Sequence, residues 1–184
     1  MLVFTKCNTV DKELYCDTVY QKHIAETSDF IVACEGIAKV IAVGLPPACY
    51  TNFRDALFHF RRMVKSSEEN EMAKQAFAIE EHSNRAKTDA IVGVLVSCSD
   101  ILQILQHVSF SLDENSLCKL VAVKNVLDRH VMHLRLSGMM LDNAGLLRIS
   151  DEEFQTAIEA FLDFINEIGK DKYHRALQIR QLQQ

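Results

Sequence analysis

Apolar residues return every three or four positions along most of this sequence, the spacing that lines one face of an α-helix. Proline interrupts that rhythm at one place only, Pro46-Pro47. Proline cannot donate a backbone hydrogen bond and restricts the residue before it, so Gly44-Leu-Pro-Pro47 is read as a helix stop. With 6 Gly and 2 Pro in 184 residues, the chain has too few breakers for a turn-rich β-sandwich. Its 48% apolar content is too high for a disordered chain. The expected fold is all-α, a bundle of about five long amphipathic helices with short loops, residues 1–184 forming a single helical-bundle domain.

From Asp11 to about Val43 the stripe Leu14, Val19, Ile24, Phe30, Ile31, Cys34, Ile37, Ala38 and Ile41 predicts one long helix or two joined ones. A kink is expected at Glu26-Thr-Ser-Asp29, where Thr27 and Ser28 offer capping hydroxyls. Pro47 suits the first turn of a second helix, Pro47 to Lys65, on which Tyr50, Phe53, Leu57, Phe60 and Val64 form a core stripe in heptad register. Ser66-Ser-Glu-Glu69 reads as a capping box opening a third helix, about Ser67 to Val108. Its later half places Ile91, Val94, Leu95, Cys98, Leu102 and Leu105 on one face.

Leu117, Leu120, Val121, Val123, Leu127, Val131 and Leu134 mark a fourth helix ending near Ser137-Gly138, followed by a loop at Asp142-Asn-Ala-Gly145. Ser150-Asp-Glu-Glu153 opens a fifth, with Phe154, Ala157, Ile158, Phe161, Ile165 and Ile168 inward and Gly169 as its stop. The tail, residues 170–184, is a short amphipathic helix or a frayed end.

The start of the chain carries no basic region followed by a long apolar run, so a secretory signal is not expected. The longest uncharged apolar run, about Ala90 to Ser99, falls short of the roughly 18 residues of a membrane span. No membrane association is expected. Cys7, Cys16, Cys34, Cys49, Cys98 and Cys118 stand singly and read as reduced core residues, consistent with a cytoplasmic location. A net charge of −5 provides no overall field toward phosphate backbones.

The most suggestive polar constellation is on the second helix: Arg54, then Asp55, then His59 after four intervening residues from Arg54. This resembles the signature of the HEPN ribonucleases, an all-helical family whose motif is Arg, four to six residues, then His, with Asn, Asp or His favoured directly after the Arg. The resemblance implies that His59 acts as general acid or base on a ribose 2′-hydroxyl or the leaving oxygen, Arg54 stabilises the charge of the transition state, and Asp55 orients them. It further implies no metal or other cofactor, and a site composed across a dimer.

On a helical wheel His59 lies about 140° from Arg54, so the two converge poorly within one helix. If the second and third helices form a hairpin, Arg54 falls opposite Glu80 and Glu81 as ion-pair partners. His82, Arg85 and Asp89 make one polar stripe on the third helix, which offers to join Arg54 and Asp55 in a network. Arg61, Arg62 and Lys65 form a compact basic cluster able to steer a phosphate backbone or to offset a helix dipole. With His82 and Arg85 they are the candidate substrate-binding residues. His130 and His133 offer two imidazoles to a metal, yet nothing nearby completes a ligand set.

Phosphate loops, nucleophile elbows and dinucleotide fingerprints are absent from the sequence. The expectation is therefore an interaction module acting as a homo-oligomer, most simply a homodimer, or as a subunit with a protein partner. The competing reading is a metal-independent ribonuclease of the HEPN kind, with RNA as its substrate.

Overall fold

The computed structural model describes residues 9–107, 112–140 and 151–183, with side chains placed for 11–107, 112–132 and 152–182. Every regular element among them is helical: α1 (Thr9–Val19), a π-helical turn (Tyr20–Ala25), α2 (Glu26–Val40), α3 (Pro47–Lys65), α4 (Glu69–His107), α5 (Glu114–Met140), α6 (Asp151–Ile168) and α7 (Lys170–Gln183). The first three run on without a break, which leaves six separate helical rods among the described residues, an all-α bundle. Cys7, the side chains of His133 and Leu134, the Asp142–Gly145 loop and the Ser150 cap lie outside the described residues.

The expected irregularity in the first rod sits earlier and takes another form. Glu26-Thr-Ser-Asp29 is regular α-helix, and the π turn just before it carries the extra residue that shifts the helix face. Thr27 is buried with no partner for its hydroxyl, so it is not a cap. Helix α2 stops ahead of Gly44. Ala42 takes a positive φ of 49°, Val43 N–H donates to the Ala38 carbonyl at 2.8 Å and Ala42 N–H to Lys39 at 3.1 Å, the paired bonds that close a helix end.

The chain groups into two compact units. The first joins the residues up to Ile37 with Leu45–Ala90, and the second joins Ala38–Gly44 with the residues from Ile91 on.

In the first unit, Val19, Ile24, Ala56, Met63, Met72 and Ile79 form a core cluster, with Tyr15, Phe53 and Phe60 packed against it. Each large apolar side chain so buried contributes about 1.5–3 kcal/mol relative to exposure. The face of α3 is rotated from the one the sequence suggested. Cys49, Ala56 and Met63 are buried, while Tyr50, Leu57 and Val64 of the expected core stripe are 43%, 41% and 43% exposed. Phe53 and Phe60 belong to both stripes, so heptad spacing alone does not choose between them. Small Ala56 and flexible Met63 allow a neighbour to approach where the bulkier ridge does not. The link into α4 also differs from a capping box, because the Ser66 hydroxyl accepts from the Glu68 N–H at 3.1 Å, a local serine turn.

In the second unit, Ile91, Val94, Leu95, Cys98, Leu102 and Leu105 of α4 are all buried, as their spacing predicts. Phe154, Ala157, Ile158, Phe161, Ile165 and Ile168 line the inner face of α6, which packs against both α5 and α7. Gly169 follows at a φ of 94°, a left-handed end that glycine adopts without strain. The tail is docked: Tyr173, Ala176 and Leu177 are buried, and the Tyr173 hydroxyl donates to the Ile41 carbonyl at 2.7 Å. On α5 only part of the expected stripe turns inward, with Leu120, Leu127 and Val131 buried but Leu117 and Val121 exposed.

Helix α4 is also long and apolar enough, by length and composition, to cross a membrane. Most of its apolar stretch is buried within the fold, as in the core helix of a globular unit.

Candidate functional site

Helices α3 and α4 form an antiparallel hairpin, because the residues that pair run in opposite order: Arg62 with Glu71, His59 with Gln75, Asn52 with His82 and Asp89. Between them lies a continuous polar chain. Asn52 Nδ2 donates to Asp89 Oδ2 at 2.8 Å, which turns the amide oxygen toward His82 Nδ1 at 3.2 Å. Gln75 Nε2 donates to Glu71 Oε1 at 2.6 Å, which turns its oxygen toward His59 Nδ1, also at 2.6 Å. Each amide oxygen can only accept, so each imidazole donates from Nδ1 and the lone pair of a neutral ring is held on Nε2. The two rings stack, with centroids 5.3 Å apart and planes 16° apart.

This chain of carboxylate, amide and imidazole, doubled about the stack, is half-buried, and Gln75 is buried outright. Asn52 and His59 are seven residues apart on α3, as are Gln75, His82 and Asp89 on α4. That polar heptad, running beside the apolar one, is the signal by which Asn52 and Gln75 were findable in the sequence.

Arg54 is not part of the chain. Its side chain is 74% exposed, and its Nε and Nη2 both donate to Asp55 Oδ1, at 3.3 and 3.1 Å. Within one chain Arg54 and His59 therefore take different partners, as their wheel separation of about 140° requires. Glu81 does not pair with Arg54, since it bonds Arg85 of its own helix. His82 and Asp89 join the network through Asn52, and Arg85 stays outside it. Arg62 bonds Glu71 at 3.5 Å and lies over the Phe58 ring at 5.9 Å, whereas Arg61 and Lys65 are exposed.

Among the described residues no three His, Cys, Asp or Glu side chains converge in a way that could hold a metal ion. Cys49, Cys98 and Cys118 are free thiols; Cys34, Cys49 and Cys98 are buried, while Cys118, expected in the core, is exposed. Burial pushes the Cys49 thiol up to about 11 and the Cys98 thiol up to about 12, which keeps both protonated and poorly nucleophilic.

The outward side of α3 is the other feature of this hairpin. Tyr50, Leu57 and Val64 make a ridge at seven-residue spacing, and Phe58 beside it is 56% exposed. The Tyr50 hydroxyl donates to Glu35 Oε1 at 2.8 Å, and that bond, with burial second, raises its pKa to about 12. Compared with known protein families, with curated proteins and with solved structures, the chain matches none.

Proposed function

We propose that this chain is a helical interaction module, a scaffold that presents the outward face of α3 to another polypeptide as a homo-oligomer or as a subunit of a larger assembly. The observation that carries the reading is the ridge of Tyr50, Leu57 and Val64, which the fold leaves 43%, 41% and 43% exposed at heptad spacing. The fold leaves about two fifths of each of these three large apolar residues in water, surface that a partner helix would bury. The free thiols of Cys49, Cys98 and Cys118 support a reducing compartment such as the cytoplasm.

A second reading is a metal-independent ribonuclease on Arg54, Asp55 and His59. What favours it is the fork of Arg54 on Asp55, which holds an exposed guanidinium ready to meet a phosphate, while Gln75 fixes the His59 tautomer. A dimer would then have to bring Arg54 of one copy to His59 of the other.

Incubating the full chain with RNA in EDTA separates the two. The interaction reading predicts that wild type, Arg54→Ala and His59→Ala all leave the RNA intact. Cleavage by wild type that both variants lose would overturn it in favour of the nuclease.

A further inference from the structure

Resting on the interaction-module reading, we propose that the outward face of α3 docks an amphipathic helix of a different protein, one whose apolar ridge is flanked by carboxylates. The face has two parallel components. Tyr50, Leu57 and Val64 form the apolar ridge, and four residues beyond the first two stand Arg54 and Arg61, with Lys65 a turn further on. On the helical wheel those three cations lie within about 60° of the ridge residue Tyr50. Helix α3 holds a single carboxylate, Asp55, which is already bound to Arg54 and sits about 140° from Tyr50.

In heptad terms the ridge occupies the seam of a helix pair and Arg54 and Arg61 occupy a flanking position, where charge selects the partner. A second copy docking through the same face is disfavoured. A twofold contact sets each patch against itself, so Arg54, Arg61 and Lys65 would meet their own copies with only Asp55, already bound to Arg54, and Glu35, already bound to Tyr50, to offset them. RNA fits less well, because the centre of the ridge is aliphatic Leu57 and Val64 rather than a row of rings for bases to stack on. An acidic amphipathic helix of about 15 residues or more, roughly 21 Å long, satisfies both components at once.

The test uses the full chain and two synthetic three-heptad helical peptides with leucine on the seam, one with glutamate at every flanking position and the other with lysine there, plus a labelled single-stranded RNA oligonucleotide. Binding is read by fluorescence anisotropy at low and high salt, and circular dichroism confirms that each variant is folded. The glutamate peptide is expected to bind at least about tenfold more tightly than the lysine peptide, with salt weakening it. Arg54→Glu with Arg61→Glu is expected to reverse that preference, and Leu57→Ser to weaken both peptides.

Equal binding of both peptides, weakened by Leu57→Ser and indifferent to charge reversal, would overturn the acidic partner while leaving the interaction reading intact. Binding of neither peptide, with or without tight binding of the RNA, would overturn the proposal, and cleavage of the RNA would overturn the interaction reading as well.

Discussion

His59 and His82 stack face to face across the α3–α4 hairpin, 5.3 Å between ring centroids, each held at Nδ1 by an amide oxygen that a carboxylate orients from behind. The arrangement joins two helices through polar groups where an apolar seam would otherwise run. Its cost is desolvation, which the hydrogen bonds at each Nδ1 offset, so removing one member leaves its neighbours exposed to that cost.

Gln75 is the most buried member and bonds in both directions. Gln75→Ala is expected to cost about 2 kcal/mol in urea unfolding, because the His59 N–H loses its acceptor in a half-buried site. Paired with His59→Ala, the losses should fall short of additive by about 0.5 kcal/mol or more. Arg54→Ala, whose partner is an exposed neighbour, is expected to stay within about 0.5 kcal/mol of wild type.

The π turn carries His23, whose imidazole is shifted below its ordinary value, chiefly by burial and against the opposing pull of Glu80. Lys22 and Lys87 act with burial, and Glu26 acts with Glu80. A histidine that binds protons less readily when folded leaves the unfolded state with more protons below about pH 6.5. Its contribution is thus complete above that value and is lost as pH falls toward the folded one. Unfolding free energy is expected to drop between pH 7.5 and 5.5, and to drop less in His23→Gln.

Tyr173 anchors α7 by donating to the Ile41 carbonyl, and both groups are buried. Tyr173→Phe keeps the ring and strips the donor, at an expected cost of about 1–2 kcal/mol. Amide exchange along α7 should speed up more than exchange along α3.

The sequence was most informative where a helix uses one broad apolar stripe. On α6 the inward residues Phe154, Ala157, Ile158, Phe161, Ile165 and Ile168 are both large and evenly spaced, and only one face satisfies them. Helix α3 offers two faces that share Phe53 and Phe60. Hydrophobicity favours Tyr50, Leu57 and Val64, while packing selects Cys49, Ala56 and Met63, a choice that depends on what lies opposite. The π turn was not legible either, because one extra residue in a turn leaves the apolar spacing tolerable on both sides. Among the candidate site residues, His59, His82 and Asp89 share one network, and the amides of Asn52 and Gln75 that link it carry no catalytic pattern of their own. Asn52 and Gln75 show only their seven-residue spacing from the histidines until the hairpin register places them opposite imidazoles.

That rotated face on α3 is tested most directly by urea unfolding of Met63→Ala beside Leu57→Ser and Val64→Ser. With Met63 fully buried and the other two 41% and 43% exposed, Met63→Ala should lose about 2–5 kcal/mol and each serine variant about 1 kcal/mol, for the covered part of its side chain. A loss at Leu57 or Val64 as large as that at Met63 would contradict the account, since the ridge would then belong to the chain's own core and leave nothing for a partner to cover.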